Sequence, residues 1–280
     1  MQKLSKKKIE RIIKEVKTKG YSIIPNVISK KSCKFFCELL ENDYKKYSKF
    51  YASPGNVKKN SLQAKIYEKS VFNLHNKNLS WFKLFNHPVV IQILDILLKE
   101  GSFKNNEPYY LNNISARSPL KDSPAQQLHI DGGLPGVNYL LRVNALWCLN
   151  DFNKINGTTT VLPRSQNKKT YPKEITLYKN QKYLTAQAGS VIIFGGSLWH
   201  GGSTKKNDAN RWALILGYAR WWIKPSFDFI KNTPKNIFSK LNTSQKRLLG
   251  FHLTPPKDEF SRVRRISNTF EKPNKYNLPK

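Results

Sequence analysis

Apolar residues recur at helical spacing in the first hundred positions and at strand spacing after them. Leu4, Ile9, Ile12, Ile13 and Val16 form one stripe between lysines, which predicts a helix over 4–19 that stops at Gly20. YSIIPNVI at 21–28 reads as a short strand, and Pro25 favours an edge position because it lacks a backbone donor. Ser29 is placed to N-cap a second helix reaching about Lys49, with Cys33, Phe36, Cys37, Leu40 and Tyr44 inward. YASPGNVKKN at 51–60 reads as a loop. A third helix is expected from about His87 to Lys99, with Pro88 in its first turn and Gly101 beyond its end.

From about residue 107 the texture changes to short β-branched and aromatic segments separated by turns. Strands are expected near 108–116, 125–131, 142–149, 158–162, 182–187, 190–194 and 211–223. Many short strands after a helical block suggest a β-sandwich or barrel with helices packed outside it, a mainly β fold with flanking helices. The organisation expected is an N-terminal helical segment at 1–106 packing on a β core at 107–224, then a C-terminal helical or irregular extension at 225–280, all as one integrated unit. Within the extension, residues 243–250 read as one short helix with a glycine stop, and the chain after Pro255-Pro256 is polar and basic. There is no internal repeat.

Composition changes this picture in two respects. Hydrophobic residues make up 39% of the 280 positions and aromatics 12%, enough for a sizeable core. Net charge is +31, from 49 Lys+Arg against 18 Asp+Glu. Such an excess can signal nucleic acid, an anionic membrane surface or an acidic substrate. Here lysine far outnumbers arginine, Asn and Ile are also abundant, and the lysines are scattered except near the N-terminus. The excess therefore reads as compositional, and no specific nucleic-acid partner is expected. Cys33, Cys37 and Cys148 match no disulfide or zinc spacing, which fits a reducing cytoplasm. No apolar run reaches membrane-spanning length, and the basic N-terminus lacks the apolar stretch of a secretory signal.

The candidate chemistry centres on QQLHIDGG at 126–133. In a strand, residues two apart share a face, so His129 and Asp131 emerge together. Gly132 and Gly133 then leave room beside them. His200, in the glycine-rich GGSLWHGGS, is the second histidine of choice. Two histidines and one carboxylate are the set used by non-haem Fe(II) oxygenases. Arg211 opens the next apolar stretch, RWALILGYARWW, where a guanidinium can take the far end of a dicarboxylate bidentately; Arg142 is the alternative for that task.

These blocks resemble the phytanoyl-CoA dioxygenase family of Fe(II)- and 2-oxoglutarate-dependent oxygenases. QQLHIDGG resembles the family's Q-x-x-H-x-D strand, and residues 71–98 resemble its pre-barrel segment. NALWCLNDFNKINGTTTVLPRSQNK at 144–168 resembles its strand pair and NG turn, with Gln166 where the family has a histidine. AGSVIIFGGSLWHGGSTKKNDANRWAL at 188–214 resembles the distal histidine-to-arginine block, with Ser190 where acidic residues are common, and TSQKRLLGF resembles the closing helix. The likeness covers roughly residues 60–252. It implies a double-stranded β-helix (jelly roll, cupin-like) core, with Fe(II) held by His129, Asp131 and His200 and the distal carboxylate of 2-oxoglutarate on Arg211. It places Trp147 beside the cosubstrate, Gln126 at the border of the site and Ser203 as a displaced hydroxyl donor. It further implies consumption of O2, release of succinate and CO2, and hydroxylation of an unactivated C–H bond in a small-molecule or lipid-like metabolite. Retention of Asp131 distinguishes the chain from halogenases of this fold. The rival readings are a metal-binding barrel without oxygenase activity and a basic, nucleic-acid-associated oxygenase.

Overall fold

A computed structural model of the chain describes residues 4–47, 67–99, 108–132, 134–136, 139–173 and 178–253. The first helix, α1 (Lys6–Lys19), begins where Ser5 Oγ accepts from Lys8 N. It ends at Gly20 in the left-handed conformation, whose N–H bonds Val16 O at 3.1 Å. Ile12 and Val16 are its buried residues. The chain passes directly into β1 (Tyr21–Ile24), and then Ser29 Oγ caps α2 (Lys30–Tyr47) by accepting from Ser32 N at 3.1 Å. After β2 (Glu68–Val71) come the short α3 (Phe82–Phe85) and α4 (Pro88–Leu97). At α4, Pro88 occupies the first turn and His87 Nδ1 accepts from Val89 N at 3.3 Å.

Seven further strands follow: β3 (Tyr109–Pro119), β4 (Arg142–Cys148), β5 (Thr159–Val161), β6 (Lys182–Tyr183), β7 (Val191–Gly195), β8 (His200–Gly202) and β9 (Ala213–Arg220). They build two antiparallel sheets, one in the order β1-β7-β4-β9-β3-β2 and the other β6-β5-β8. The small helices α5 (Lys235–Phe238) and α6 (Thr243–Leu248) close the described chain.

Strand β4 shows how the layers are divided. Its period of two sends Val143, Ala145 and Trp147 into the large core shared with α1, α2 and α4, alongside Ile12, Phe36, Leu40 and Val90. Leu146 and Cys148 point the other way, into a smaller core between the sheets with Phe152, Val161, Ile192 and Phe194. All seven residues of β4 are buried, because helices cover one face of the large sheet and the small sheet covers the other. Two stacked antiparallel sheets with this order form a jelly roll.

Several expectations change in detail. The segment 125–131 is not a ladder strand; it makes one bridge, His129 to His200. Its partner turns sharply, with Leu198 N donating to Gly195 O at 3.0 Å, so Asp131 N reaches Gly196 O instead. The strand expected at 182–187 is reduced to Lys182–Tyr183 plus a bridge between Phe152 and Ala186. Strand β9 begins at Ala213, two residues after Arg211. The large sheet takes both of its edges, β1 and β2, from before residue 107, and β2 was not anticipated. The expected loop at 51–60, the end of the second helix at 48–49 and the tail beyond Pro255-Pro256 lie outside the described residues. No helix among the described residues is long and apolar enough to cross a membrane.

Candidate metal centre

The segment 126–131 runs antiparallel to 196–202 and is pinned at three points. Gln126 N bonds Gly202 O at 2.8 Å, His129 and His200 exchange both backbone bonds at 2.8 and 3.0 Å, and Asp131 N bonds Gly196 O at 2.8 Å. This pairing sets the two histidine rings 4.3 Å apart, centroid to centroid, with Phe194 against the His200 ring at 4.8 Å. His129 Nε2 lies 3.7 Å from Asp131 Oδ1, and His200 Nε2 lies 3.6 Å from Asp131 Oδ2. One ligand atom from each of the three residues falls within 4.8 Å of the others, the only such group among the described residues.

The imidazoles are oriented by their other nitrogens. His129 Nδ1 faces Gln127 O at 3.1 Å, and His200 Nδ1 faces Leu198 O at 2.9 Å. A carbonyl only accepts, so each Nδ1 is the donor in these contacts and each Nε2 is the nitrogen turned toward Asp131. Burial drives the His200 pKa down to about 4 against the opposing pull of Asp131, so this ring is neutral at neutral pH. Burial pulls the Asp131 carboxyl upward, but His200, Arg142, His129 and the hydrogen bond from Asn144 outweigh it and hold it below the usual carboxylate range. Two imidazole nitrogens beside a carboxylate are a donor set that fits a divalent transition metal.

The triad opens on a cavity of about 460 Å3 whose lining includes Gln126, Leu146, Phe194, Ser203, Arg211 and Ile215. Arg211 is buried, with its guanidinium carbon 4.5 Å from the Phe152 ring centroid. Its Nε has no hydrogen-bond partner among the described residues. Burial lowers its pKa to about 10, with Cys148 and Glu68 acting in the opposite direction, so it remains a cation at neutral pH. Ser203 Oγ is also buried without a partner among the described residues. A buried guanidinium with an unpartnered Nε and an unpartnered hydroxyl at one cavity are donors that suit a carboxylate ligand.

Other candidates sit elsewhere. Gln126 is exposed and lies at the rim of the cavity. Trp147 does not reach it: on the opposite face of β4 it meets the His87 ring edge-on at 5.2 Å within the helix-side core. The reason is strand parity, since Trp147 is an odd step from Asn144 and Leu146. Arg142 is engaged by Asp131 and Asn144 and does not line the Arg211 cavity. Asn144, whose Nδ2 donates to Asp131 Oδ2 at 2.8 Å, was not singled out from the sequence. Its signal was legible as two polar residues, Arg142 and Asn144, on one face of a strand otherwise apolar.

The fold and the three converging side chains define a jelly-roll protein with a two-histidine, one-carboxylate group of a kind that could hold a metal ion. The chain belongs to the phytanoyl-CoA dioxygenase family, whose model matches residues 16–213. Among curated relatives, the uncharacterized protein Mb1539 of Mycobacterium bovis is 22% identical over 61% of this chain and 63% of its own length. Dioxygenase af480 of Aspergillus fumigatus is 26% identical over 64% of this chain and 58% of its own. The chain thus spans about three fifths of the relatives it matches. Among solved structures, HygX from Streptomyces hygroscopicus with nickel and 2-oxoglutarate bound superposes with a TM-score of 0.60. That match has 17% identity and covers 79% of this chain and 89% of HygX.

Proposed function

We propose that this protein is an Fe(II)- and 2-oxoglutarate-dependent dioxygenase that hydroxylates an unactivated C–H bond of a small-molecule or lipid-like metabolite, releasing succinate and CO2. The carrying observation is one cavity that joins the His129–Asp131–His200 group to the buried Arg211, whose Nε has no partner among the described residues. In this reading the two Nε2 atoms and the Asp131 carboxylate hold the iron, and the Nδ1 bonds to Gln127 O and Leu198 O keep both rings in the metal-binding tautomer. Arg211 grips the distal carboxylate of 2-oxoglutarate through two forked N–H donors, and Ser203 adds a hydroxyl donor on the same wall. Gln126 closes the rim. Leu146, Phe194 and Ile215 keep the site dry, which strengthens every charge interaction inside it. Fe(II) held there would supply the oxidising chemistry, in which O2 oxidises 2-oxoglutarate to succinate and CO2 and places its other oxygen atom on the substrate carbon. Trp147 serves the core rather than the cosubstrate.

A metal-binding barrel without oxygenase activity is the weaker account, because it leaves the buried Arg211 guanidinium without a use. The charge excess needs no nucleic-acid partner here, and the three free thiols suit a cytoplasmic enzyme. The test is succinate formation from 2-oxoglutarate, Fe(II) and O2 across a panel of small-molecule substrates. Succinate should depend on all three components, and Asp131→Ala should abolish it with an unchanged circular dichroism spectrum. Full activity in Asp131→Ala, or failure of the wild-type chain to bind either metal or 2-oxoglutarate, contradicts the proposal.

A further inference from the structure

Beside the triad lies a polar chain that the proposed reaction does not itself require. We propose that Arg142 and Asn144 clamp the Oδ2 oxygen of Asp131, leaving Oδ1 as the sole carboxylate ligand of the bound metal. The inference rests on the reading of the triad as a divalent metal centre.

Asn144 Nδ2 donates to Asp131 Oδ2 at 2.8 Å, and Arg142 Nη2 stands 3.6 Å from the same oxygen. Each carboxylate oxygen faces one imidazole, Oδ1 the His129 Nε2 at 3.7 Å and Oδ2 the His200 Nε2 at 3.6 Å, so it is the Asn144 and Arg142 contacts that set the two oxygens apart. The orientation of the Asn144 amide is dictated by its neighbours. Arg142 Nε, which can only donate, meets Asn144 Oδ1 at 3.0 Å; the carboxylate, which can only accept, meets Nδ2. Flipping the amide would set donor against donor and acceptor against acceptor.

Arg142 is itself tied down. Its Nη1 reaches Asn112 Oδ1 at 3.4 Å, and that oxygen also accepts from Ser226 Oγ at 3.0 Å. Asn112 Nδ2 in turn donates to Lys224 O at 3.0 Å. Asn112 is the extra residue of a β-bulge, where the β3–β9 register slips between Leu111 and Asn113. Bulges next to active sites re-aim a side chain, and this one aims Asn112 at the arginine. Across β4, Gly217 pairs with Asn144, and a Cβ there would overlap the Arg142 guanidinium. Bulge, glycine and asparagine thus act together to set one guanidinium.

A carboxylate can chelate a metal through both oxygens, and doing so would fill a coordination position that a cosubstrate or dioxygen needs. Holding Oδ2 in a hydrogen bond from Asn144 and an ion pair with Arg142 disfavours that mode. Arg142 and Asn144 are therefore positioning residues acting through Asp131; neither touches the metal.

The experiment uses the full chain and Co(II) as the probe, following both the affinity and the ligand-field absorption of the bound ion. Asn144→Ala should weaken Co(II) binding by about 10- to 100-fold, the usual cost of losing a residue that orients a ligand. It should also change the ligand-field bands, which a merely structural role would leave alone. At saturating Co(II) its affinity for 2-oxoglutarate should fall, because the freed oxygen competes for a position. Arg142→Lys should do the same in smaller measure. Gly217→Ala should mimic Arg142→Lys alone but add little in the Arg142→Lys background. Should Asn144→Ala fail to fold, Arg142→Lys and Gly217→Ala decide by the same two readouts. Variants that bind Co(II) within twofold of wild type with superimposable spectra overturn the clamp alone. A wild-type chain that binds no Co(II) overturns the metal-centre reading and the clamp with it.

Discussion

An arginine with a buried, unpartnered Nε costs stability in the empty protein, because that donor has left water without finding an acceptor among the described residues. Arg211 is such a residue, and its stacking on Phe152 steers the guanidinium without satisfying it. Lysine at this position offers a point charge in place of a fork. Arg211→Lys should therefore weaken 2-oxoglutarate binding by about 1.5–3 kcal/mol, roughly one to two decades in affinity, while Fe(II) affinity stays near wild type. Calorimetric titration of 2-oxoglutarate into the metal-loaded variant checks this, and an unchanged affinity removes Arg211 from the cosubstrate site. At this scale the sequence was informative where chemistry is sparse. With few histidines in the chain, the spacing around His129, Asp131 and His200 singled out side chains that the structure brings together. Trp147 misled because family likeness says which strand a residue occupies, whereas only parity and covering layers say which face it takes. Asn144 was missed because an asparagine in a strand carries no signature until its partner is known.

Among the elements, the longer helices α1, α2 and α4 were legible because their end signals are local, at Gly20, Ser29 and Pro88, whereas the four-residue α3 and α5 carry no such signal and were not expected. Strands depend on partners far along the chain. The 125–131 segment has strand-like composition, yet its ladder breaks because the partner turns at Gly195–Leu198. Strand β2, EKSV, has no apolar alternation and exists because β3 offers it an edge. The α1–β1 junction links both kinds of element. Gly20 has φ of +94°, and a Cβ there would sit 2.5 Å from Leu198 Cδ1 and 2.6 Å from Gln166 Oε1. Gly20→Ala should destabilise the fold by about 1–2 kcal/mol from the left-handed backbone alone, with crowding beside Leu198 adding to it. Urea unfolding measures the change, and equal midpoints for variant and wild type would show that the junction relaxes freely.

For the whole molecule, burial leaves several histidines unable to charge. His75, His87 and His252 each have a pKa lowered to about 4, chiefly by burial. The unfolded chain takes up these protons below about pH 6.5, while the folded chain refuses them until about pH 4. Stability is therefore complete above the unfolded value and is lost as pH falls through that window, by at most about 1.4 kcal/mol per pH unit for each histidine. His75→Phe, which keeps a ring against Phe229, should flatten the slope between pH 6.5 and 4.5; a slope identical to wild type would mean that His75 titrates freely. The architecture was legible as a class, helices followed by many short strands. The division into segments was blurred by topology, since the large sheet draws its edges from the N-terminal part of the chain.

The central claim is that His129, Asp131 and His200 hold one divalent metal that 2-oxoglutarate joins by reaching Arg211. The most direct test is an anaerobic titration of the purified chain with Fe(II), then with 2-oxoglutarate, followed by the visible charge-transfer absorption of the Fe(II)–keto-acid chelate. The absorption should saturate at one Fe(II) per chain, require both components, and vanish in Asp131→Ala. Absence of the band in the wild-type chain, or its persistence in Asp131→Ala, would contradict the account.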